Sequence, residues 1–363
     1  MSDTTAHPEQ TATSIPQARQ AARIHGLDLL RGVCAIFVAT YHFMLWQGYG
    51  EVESLGTFPV YTFFVLSALT ISHIYQHKFS EVISKRDLYV FLYKRMSRVL
   101  PLLAIVALVM ALLRVAVKPE FDIDVITRFI MTATGAFAFH MPALMSNTIG
   151  AWSLGIEFVF YILFPIVALL MPKQLNAKLF LIFGALVLLQ LASIHKVLAF
   201  EPEFAWYSFV MPVTFAPFFL GGMLILYFKK REQRGFALAA MVCLCVMSFC
   251  SLITPVQIGK DPVLFTALMG LSIAAVYFSY NCKLSGIGEK IAHEVGRLSY
   301  PLYLTHWFSF QLVSKLGGHL ALEGVALWVV FFGVAMCVAH VANILCEMPM
   351  QRYLNGRLRQ RSG

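Results

Sequence analysis

Apolar runs of about 20 residues recur along the chain, parted by short polar stretches. A helix rises about 1.5 Å per residue, so about 20 apolar residues are needed to cross about 30 Å of hydrocarbon. By that measure ten spanning helices are predicted, at residues 27–47, 55–76, 98–117, 152–172, 177–195, 204–228, 236–255, 261–280, 297–316 and 324–346. A further apolar stretch, 125–145, is interrupted by Gly135, His140 and Pro142 and reads as a re-entrant or interfacial helix. The predicted fold is therefore an all-α polytopic membrane protein, a bundle of about ten transmembrane helices. Residues 1–24, rich in Ser, Thr, Ala, Gln and Pro, are expected to form a flexible cytoplasmic tail. Residues 25–353 form one transmembrane domain, and 354–363 a basic cytoplasmic tail. The first apolar run is too long for a signal peptide and lacks a small-residue cleavage site, so it is expected to stay as a helix.

Composition agrees, since 59% hydrophobic and 13% charged residues exclude a soluble domain of this length. The formal net charge of +9 raises nucleic acid as a partner, but its distribution argues for the lipid bilayer instead. Of the 28 Lys and Arg residues, six (Arg114, Lys118, Arg128, Lys196, Lys260 and Lys315) fall on one side of the predicted spans and Arg31 falls within the first. The remainder lie on the side of the N-terminus, the positive-inside asymmetry expected of ten spans with both termini cytoplasmic. The outer loops are short, so any chemistry must lie inside the bundle. Seven cysteines fall in apolar segments or one loop without a C-x-x-C pair, which supports neither disulfides nor zinc. His73 and His77 stand four apart but without a carboxylate, so no metal site is expected. Neither a P-loop nor a Rossmann glycine pattern occurs.

Four stretches carry ionisable groups where they are costly. The first span, LDLLRGVCAIFVATYHFMLW, holds Asp28, Arg31 and His42. Eleven steps of about 100° bring Arg31 and His42 to within about 20° of one helix face, about 16 Å apart along the axis. Such groups face a bundle interior or a wet cavity. In FLYKRMSRVLP, Arg95 and Arg98 share a face three residues apart, with Lys94 beside them, a cluster suited to phosphate. In WSLGIEFVFYILFP, Ser153, Glu157 and Tyr161 form a polar stripe at intervals of four. Glu157 lies at about the depth of His42, where the two side chains are positioned to meet. In LSYPLYLTHW, Ser299, Tyr303 and His306 share a face, while Tyr300 and Trp307 read as packing aromatics. Finally, Glu347 in CEMPMQR is placed to pair with a cytoplasmic arginine.

Together these stretches resemble the acyltransferase 3 family of polytopic membrane O-acyltransferases, of the bacterial glycan-modifying type. The segments LDLLRG…YHF, Phe63 to Ser67, R-x-x-R-x-x-P, W-S-L-x-x-E-x-x-x-Y-x-x-x-P, S-Y-x-L-Y-L-x-H-W and E-x-P follow that family's order across about residues 25–353. One departure is Ala68, where the family commonly has glycine. The resemblance implies transfer of an acyl group, usually acetyl, from cytoplasmic acyl-CoA to a hydroxyl of an extracytoplasmic polysaccharide or glycolipid. It implies essential roles for Arg31, His42, Arg95 and Arg98, and a bacterial inner membrane as the setting. Glycan-biosynthesis proteins are then possible partners. His42 would act as general base or acyl-accepting residue, Arg31 and Glu157 beside it, and Arg95, Arg98 and Lys94 on the donor phosphates. Asp28, Ser153, Tyr161, Tyr303 and His306 are supporting or substrate-contacting candidates.

The competing reading is a secondary transporter with Arg31, His42 and Glu157 as a proton relay. Transporters often carry internal repeats with broken helices in matching positions, and the Glu157 and His306 segments have no counterpart elsewhere in the chain. Vesicles reconstituted with the protein are expected to show no substrate uptake in the absence of acyl-CoA, and uptake without it would favour the transporter.

Overall fold

The computed structural model describes residues 23–50, 52–118, 122–199, 207, 209–228, 231–253, 261–320 and 322–362. The expected N-terminal tail up to residue 22, the start of the sixth predicted span at 204–206 and the end of the seventh at 254–255 lie outside the described residues. What is described is helical, apart from connecting turns and one isolated bridge between Gln233 and Cys282.

The helices, in chain order, are α1 (His25–Gln47), α2 (Glu53–Phe79), α3 (Lys85–Val117), α4 (Ile123–Thr134), α5 (Pro142–Met145), α6 (Ala151–Leu170) and α7 (Ala177–Ala199). They continue as α8 (Pro212–Leu224), α9 (Phe236–Phe249), α10 (Pro262–Tyr280), α11 (Ile287–Leu320), α12 (Gly324–Ala342) and α13 (Met348–Ser362). Among the described residues, seven helical stretches are long and apolar enough to cross a membrane, and Pro212–Tyr227 and Phe236–Leu252 are shorter apolar helices. The ninth predicted span lies in α11, whose opening turns carry Glu289, Lys290, Glu294 and Arg297. The expected count of ten thus resolves into seven long apolar stretches, two short ones and this more polar helix. The stretch 125–145 is broken, with α4 ending at Gly135 in the left-handed region (φ 79°), a short 3-10 turn over Ala136–Phe139, and α5.

α2 sits at the centre, with 83% of its most apolar window buried. It is apolar around its whole circumference, the pattern of a helix enclosed on all sides, and α1, α6, α8, α9 and α10 surround it. α1 packs mainly along α11. A Cβ on Gly32 would lie 2.7 Å from Val295, and one on Gly296 2.6 Å from the Cβ of Asp28. The two backbones therefore approach as small residues allow, which sets Asp28 and Arg31 hard against α11.

The last helices depart from expectation at Pro349. Proline has no N–H and its ring crowds the carbonyl four residues earlier, and the chain widens to a π-helical turn over Asn343–Glu347 just before it. Glu347 there accepts from Asn343 Nδ2 at 2.8 Å and Gln351 Nε2 at 3.0 Å, while Arg297 bonds Asn343. Two amides rather than a directly bonded arginine therefore hold this carboxylate. Residues 354–362 of the expected basic tail are helical, with Leu358 buried and the Leu354 carbonyl accepting from the Tyr93 hydroxyl at 3.1 Å.

Replacing Gly32 with Val should force α1 and α11 apart and cost about 1–3 kcal/mol. Thermal unfolding of the detergent-solubilised protein should show a lower midpoint, and an unchanged one would contradict the close helix contact.

Candidate active site

Four helices supply the ionisable side chains, and they converge on one partly open cavity of about 90 Å³. It is lined by Arg31 from α1, Arg95 and Arg98 from α3, Ser153, Glu157 and Tyr161 from α6, and Ser299, Tyr300 and Tyr303 from α11, with Ser67 of α2 closing one side. A space of this size holds a few water molecules and is far smaller than the several hundred Å³ of a typical ligand pocket. A substrate must therefore widen it.

Arg31 is held through Asp28, whose Oδ1 lies 3.5 Å from Arg31 Nη1 while Oδ2 takes Arg23 Nε at 2.5 Å. Arg95 is buried, and its guanidinium lies 5.3 Å from the ring centre of Tyr75 and 6.0 Å from that of Tyr161. Tyrosine faces stabilise a cation without occupying its N–H groups, and Arg95 Nε is buried with no hydrogen-bond partner among the described residues. Glu157 Oε2 accepts from the Tyr161 hydroxyl at 3.0 Å, and Ser67 Oγ lies 3.1 Å from the same hydroxyl. Arg31 and Arg98 both lie within electrostatic range of Glu157. Across the cavity, Ser153 Oγ and the Tyr303 hydroxyl lie 3.0 Å apart, and each donates to the Gly150 carbonyl at 2.9 Å. Gly150 has φ 78°, and a Cβ there would meet the Tyr303 hydroxyl at 2.7 Å, so glycine is required on both counts.

His42 lies apart from this lining. Its ring packs on Trp46 at 5.1 Å and on His306 at 4.9 Å, and Trp46 in turn stacks on His306 at 5.6 Å. His42 Nδ1 lies 3.0 Å from the Val38 carbonyl, and His306 Nδ1 lies 2.8 Å from the Tyr303 carbonyl. A carbonyl only accepts, so each neutral ring carries its proton on Nδ1 and its lone pair on Nε2. His306 Nε2 is buried with no partner among the described residues. The Tyr303 ring lines the cavity and lies 6.4 Å from that of His306.

A family model described as an acyltransferase domain, that of the acyltransferase 3 family, matches residues 24–344, nearly the whole chain. The chain belongs to the acyltransferase 3 family. Neither the search of curated proteins nor that of solved structures returned a match.

In this acyltransferase the expected meeting of Glu157 with His42 does not occur, because Glu157 turns to Tyr161 and the arginine side of the cavity while His42 packs on His306 and Trp46. Arg95 and Arg98, expected to act as a pair at the surface, are divided: Arg95 is buried and Arg98 exposed. Lys94 is exposed and stays outside the cavity, in a groove beside α13, and Asp28 acts on Arg31 from behind. Tyr300, read from sequence as a packing aromatic, lines the cavity and donates to the Val99 carbonyl at 2.5 Å. The Ser299 position beside it gave the only sequence signal, since 299, 300 and 303 together cover one side of a helix. Trp46 carried no signal, since an aromatic near a span end is usually interfacial.

Tyr161→Phe removes the hydroxyl from Glu157 and Ser67 together and leaves a buried carboxylate short of a donor, a loss of about 1–3 kcal/mol. A thermal midpoint equal to wild type would show that water replaces the hydroxyl at no cost.

Proposed function

We propose that this membrane acyltransferase moves an acyl group, acetyl in the simplest case, from cytoplasmic acyl-CoA to a hydroxyl of an extracytoplasmic glycan or glycolipid at a bacterial inner membrane. The observation that carries the proposal is the double position of Arg98, which lines both the inner cavity and a groove of about 400 Å³ between α3 and α13. Lys94, Ser97, Gln351 and Asn355 complete the polar wall of that groove. A CoA thioester is long and bears its phosphates at one end. Phosphate in the groove would meet Lys94 and Arg98, since guanidinium and ammonium groups bind phosphate oxygens strongly. The arm would then pass Arg98 into the cavity, where Arg95 Nε and Arg31 offer donors to the thioester carbonyl oxygen.

His42, which does not line the cavity in the form described, then reaches the acceptor hydroxyl as substrate widens that cavity and serves as general base. Its Nε2 lone pair removes the proton of the acceptor hydroxyl as that oxygen attacks the thioester carbonyl carbon. The C–O bond forms, the C–S bond breaks, and the imidazolium returns the proton to the departing thiolate as the free CoA thiol. Arg31 and Arg95 hold the negative charge that develops on the carbonyl oxygen in between. Trp46, stacked on His42, and His306, tilted against it, fix the orientation of its ring.

His42→Ala is expected to lower acyl content in the host's surface glycans by about a hundredfold or more while the protein remains in the membrane. Mass spectrometry of those glycans is the measurement, and wild-type acylation would sink the proposal. Arg95→Ala and Arg98→Ala should each weaken acetyl-CoA binding by about tenfold or more, measured by titration calorimetry on the purified protein.

A further inference from the structure

A second, larger cavity of about 750 Å³ lies near the opposite end of α3. Arg114 at its rim is sixteen residues beyond Arg98, or about 24 Å along the helix. Its walls come from the last turns of α3, from α4, from the loop before α6, and from Trp152 and Trp307.

One side of this cavity meets hydrocarbon. Leu113 and Val117 line it, yet they are 42% and 80% exposed, so the cavity is open along the outward face of α3. On α4, Ile123, Ile126 and Ile130 are exposed at intervals of three and four, which makes one apolar stripe beside that opening. In a chain that spans the bilayer, apolar surface of this extent belongs against lipid chains.

The same cavity is cationic. Arg114, Lys118 and Arg128 line it against a single carboxylate, Asp124. Arg128 meets Asp124 at 2.7 Å and donates to the Leu144 carbonyl, so Asp124 neutralises Arg128 and leaves the charges of Arg114 and Lys118 in excess. Such a concentration runs against the charge pattern of the chain. The sequence places six basic residues on the poorer side of the spans, and three of those six gather on this one cavity. The positive-inside rule keeps basic residues few on that side but gives no reason for them to cluster.

A cationic rim above an apolar mouth fits an amphiphile with an anion at one end. Guanidinium and ammonium groups bind phosphate oxygens strongly, and basic pockets between spanning helices suit anionic head groups. Tryptophan settles at the level of lipid head groups, and both Trp152 and Trp307 stand on the wall. A free phosphate would satisfy the cations but leave Leu113 and Val117 without a partner.

We propose that this cavity binds an anionic phospholipid from the leaflet at this end of α3. Its phosphate lies between Arg114 and Lys118, and one acyl chain runs along Leu113 and Val117. Such a site does not depend on the acyl-transfer reading.

The test places the full-length protein in phosphatidylcholine vesicles that contain phosphatidylglycerol with a photoreactive diazirine in its acyl chain. Labelled peptides are mapped by mass spectrometry after irradiation. Peptides from the last turns of α3 and from α4 should carry about ten times the label of peptides from the exposed faces of α7 and α12. The double variant Arg114→Gln, Lys118→Gln should lose that excess, whereas Lys173→Gln, at a lysine 86% exposed elsewhere, should keep it. Labelling of wild type no stronger than on α7 and α12 would overturn the site. An equal yield from a phosphatidylcholine probe would overturn it too, since charge would then play no part, as would full labelling of the double variant. Competition by inorganic phosphate as complete as that by unlabelled phosphatidylglycerol would reduce the site to one for a simple anion and overturn the lipid. If the double variant failed to enter vesicles, the comparison of the two probes on wild type would decide.

Discussion

Two guanidinium groups enclosed in an apolar bundle set the terms for the rest of this structure. An arginine at the centre of a spanning helix costs about 2.5–3.5 kcal/mol on insertion scales, and more if it meets hydrocarbon alone. Arg31 and Arg95 are each kept by a different device. Arg31 leans on Asp28, which sits at the tight contact of α1 with α11. Arg95 lies by the faces of Tyr75 and Tyr161, an arrangement that steadies the cation while leaving Nε without a partner. Asp28 is fully engaged by two arginines, yet it meets Arg31 through Nη1 alone, so both devices leave guanidinium N–H groups for the cavity.

Around this constraint the remaining groups fall into a line. The groove between α3 and α13 leads through Arg98 to the inner cavity. Beyond it, Tyr303 joins the lining of the inner cavity to the histidine pair through its contact with His306. The volume of about 90 Å³ means that the line is narrow in the form described. A path of this kind needs local widening before a thioester can enter.

Much of this was legible from residue spacing. Helical periodicity placed Ser153, Glu157 and Tyr161 on one stripe, and all three line the cavity. The same periodicity put Ser299 with Tyr303, which also line it, but it put His306 with them as well, and His306 turns instead to His42 and Trp46. A face about 100° wide spans more than one neighbouring helix, so periodicity alone does not say which neighbour a residue meets. Depth matching failed in the same way for Glu157 and His42. Equal height along two helices leaves their rotations about their own axes undetermined, and packing fixes those rotations. The helix count blurred for a related reason: α11 carries charges in its opening turns, and hydropathy alone does not distinguish a polar helix sheltered by neighbours from one outside the membrane.

The sequence by itself determined the class of molecule, the apolar helices and the order of the motifs that mark an acyltransferase 3 domain, because each is encoded within one segment of about 20 residues. Only the tertiary structure decided that Arg95 is buried while Arg98 stays exposed, and that His42 packs on His306. Those facts depend on contacts between segments far apart in the chain. They follow from how closely helices such as α1 and α11 approach, which is governed by residues as small as Gly32 and Gly296 and invisible in any single stretch.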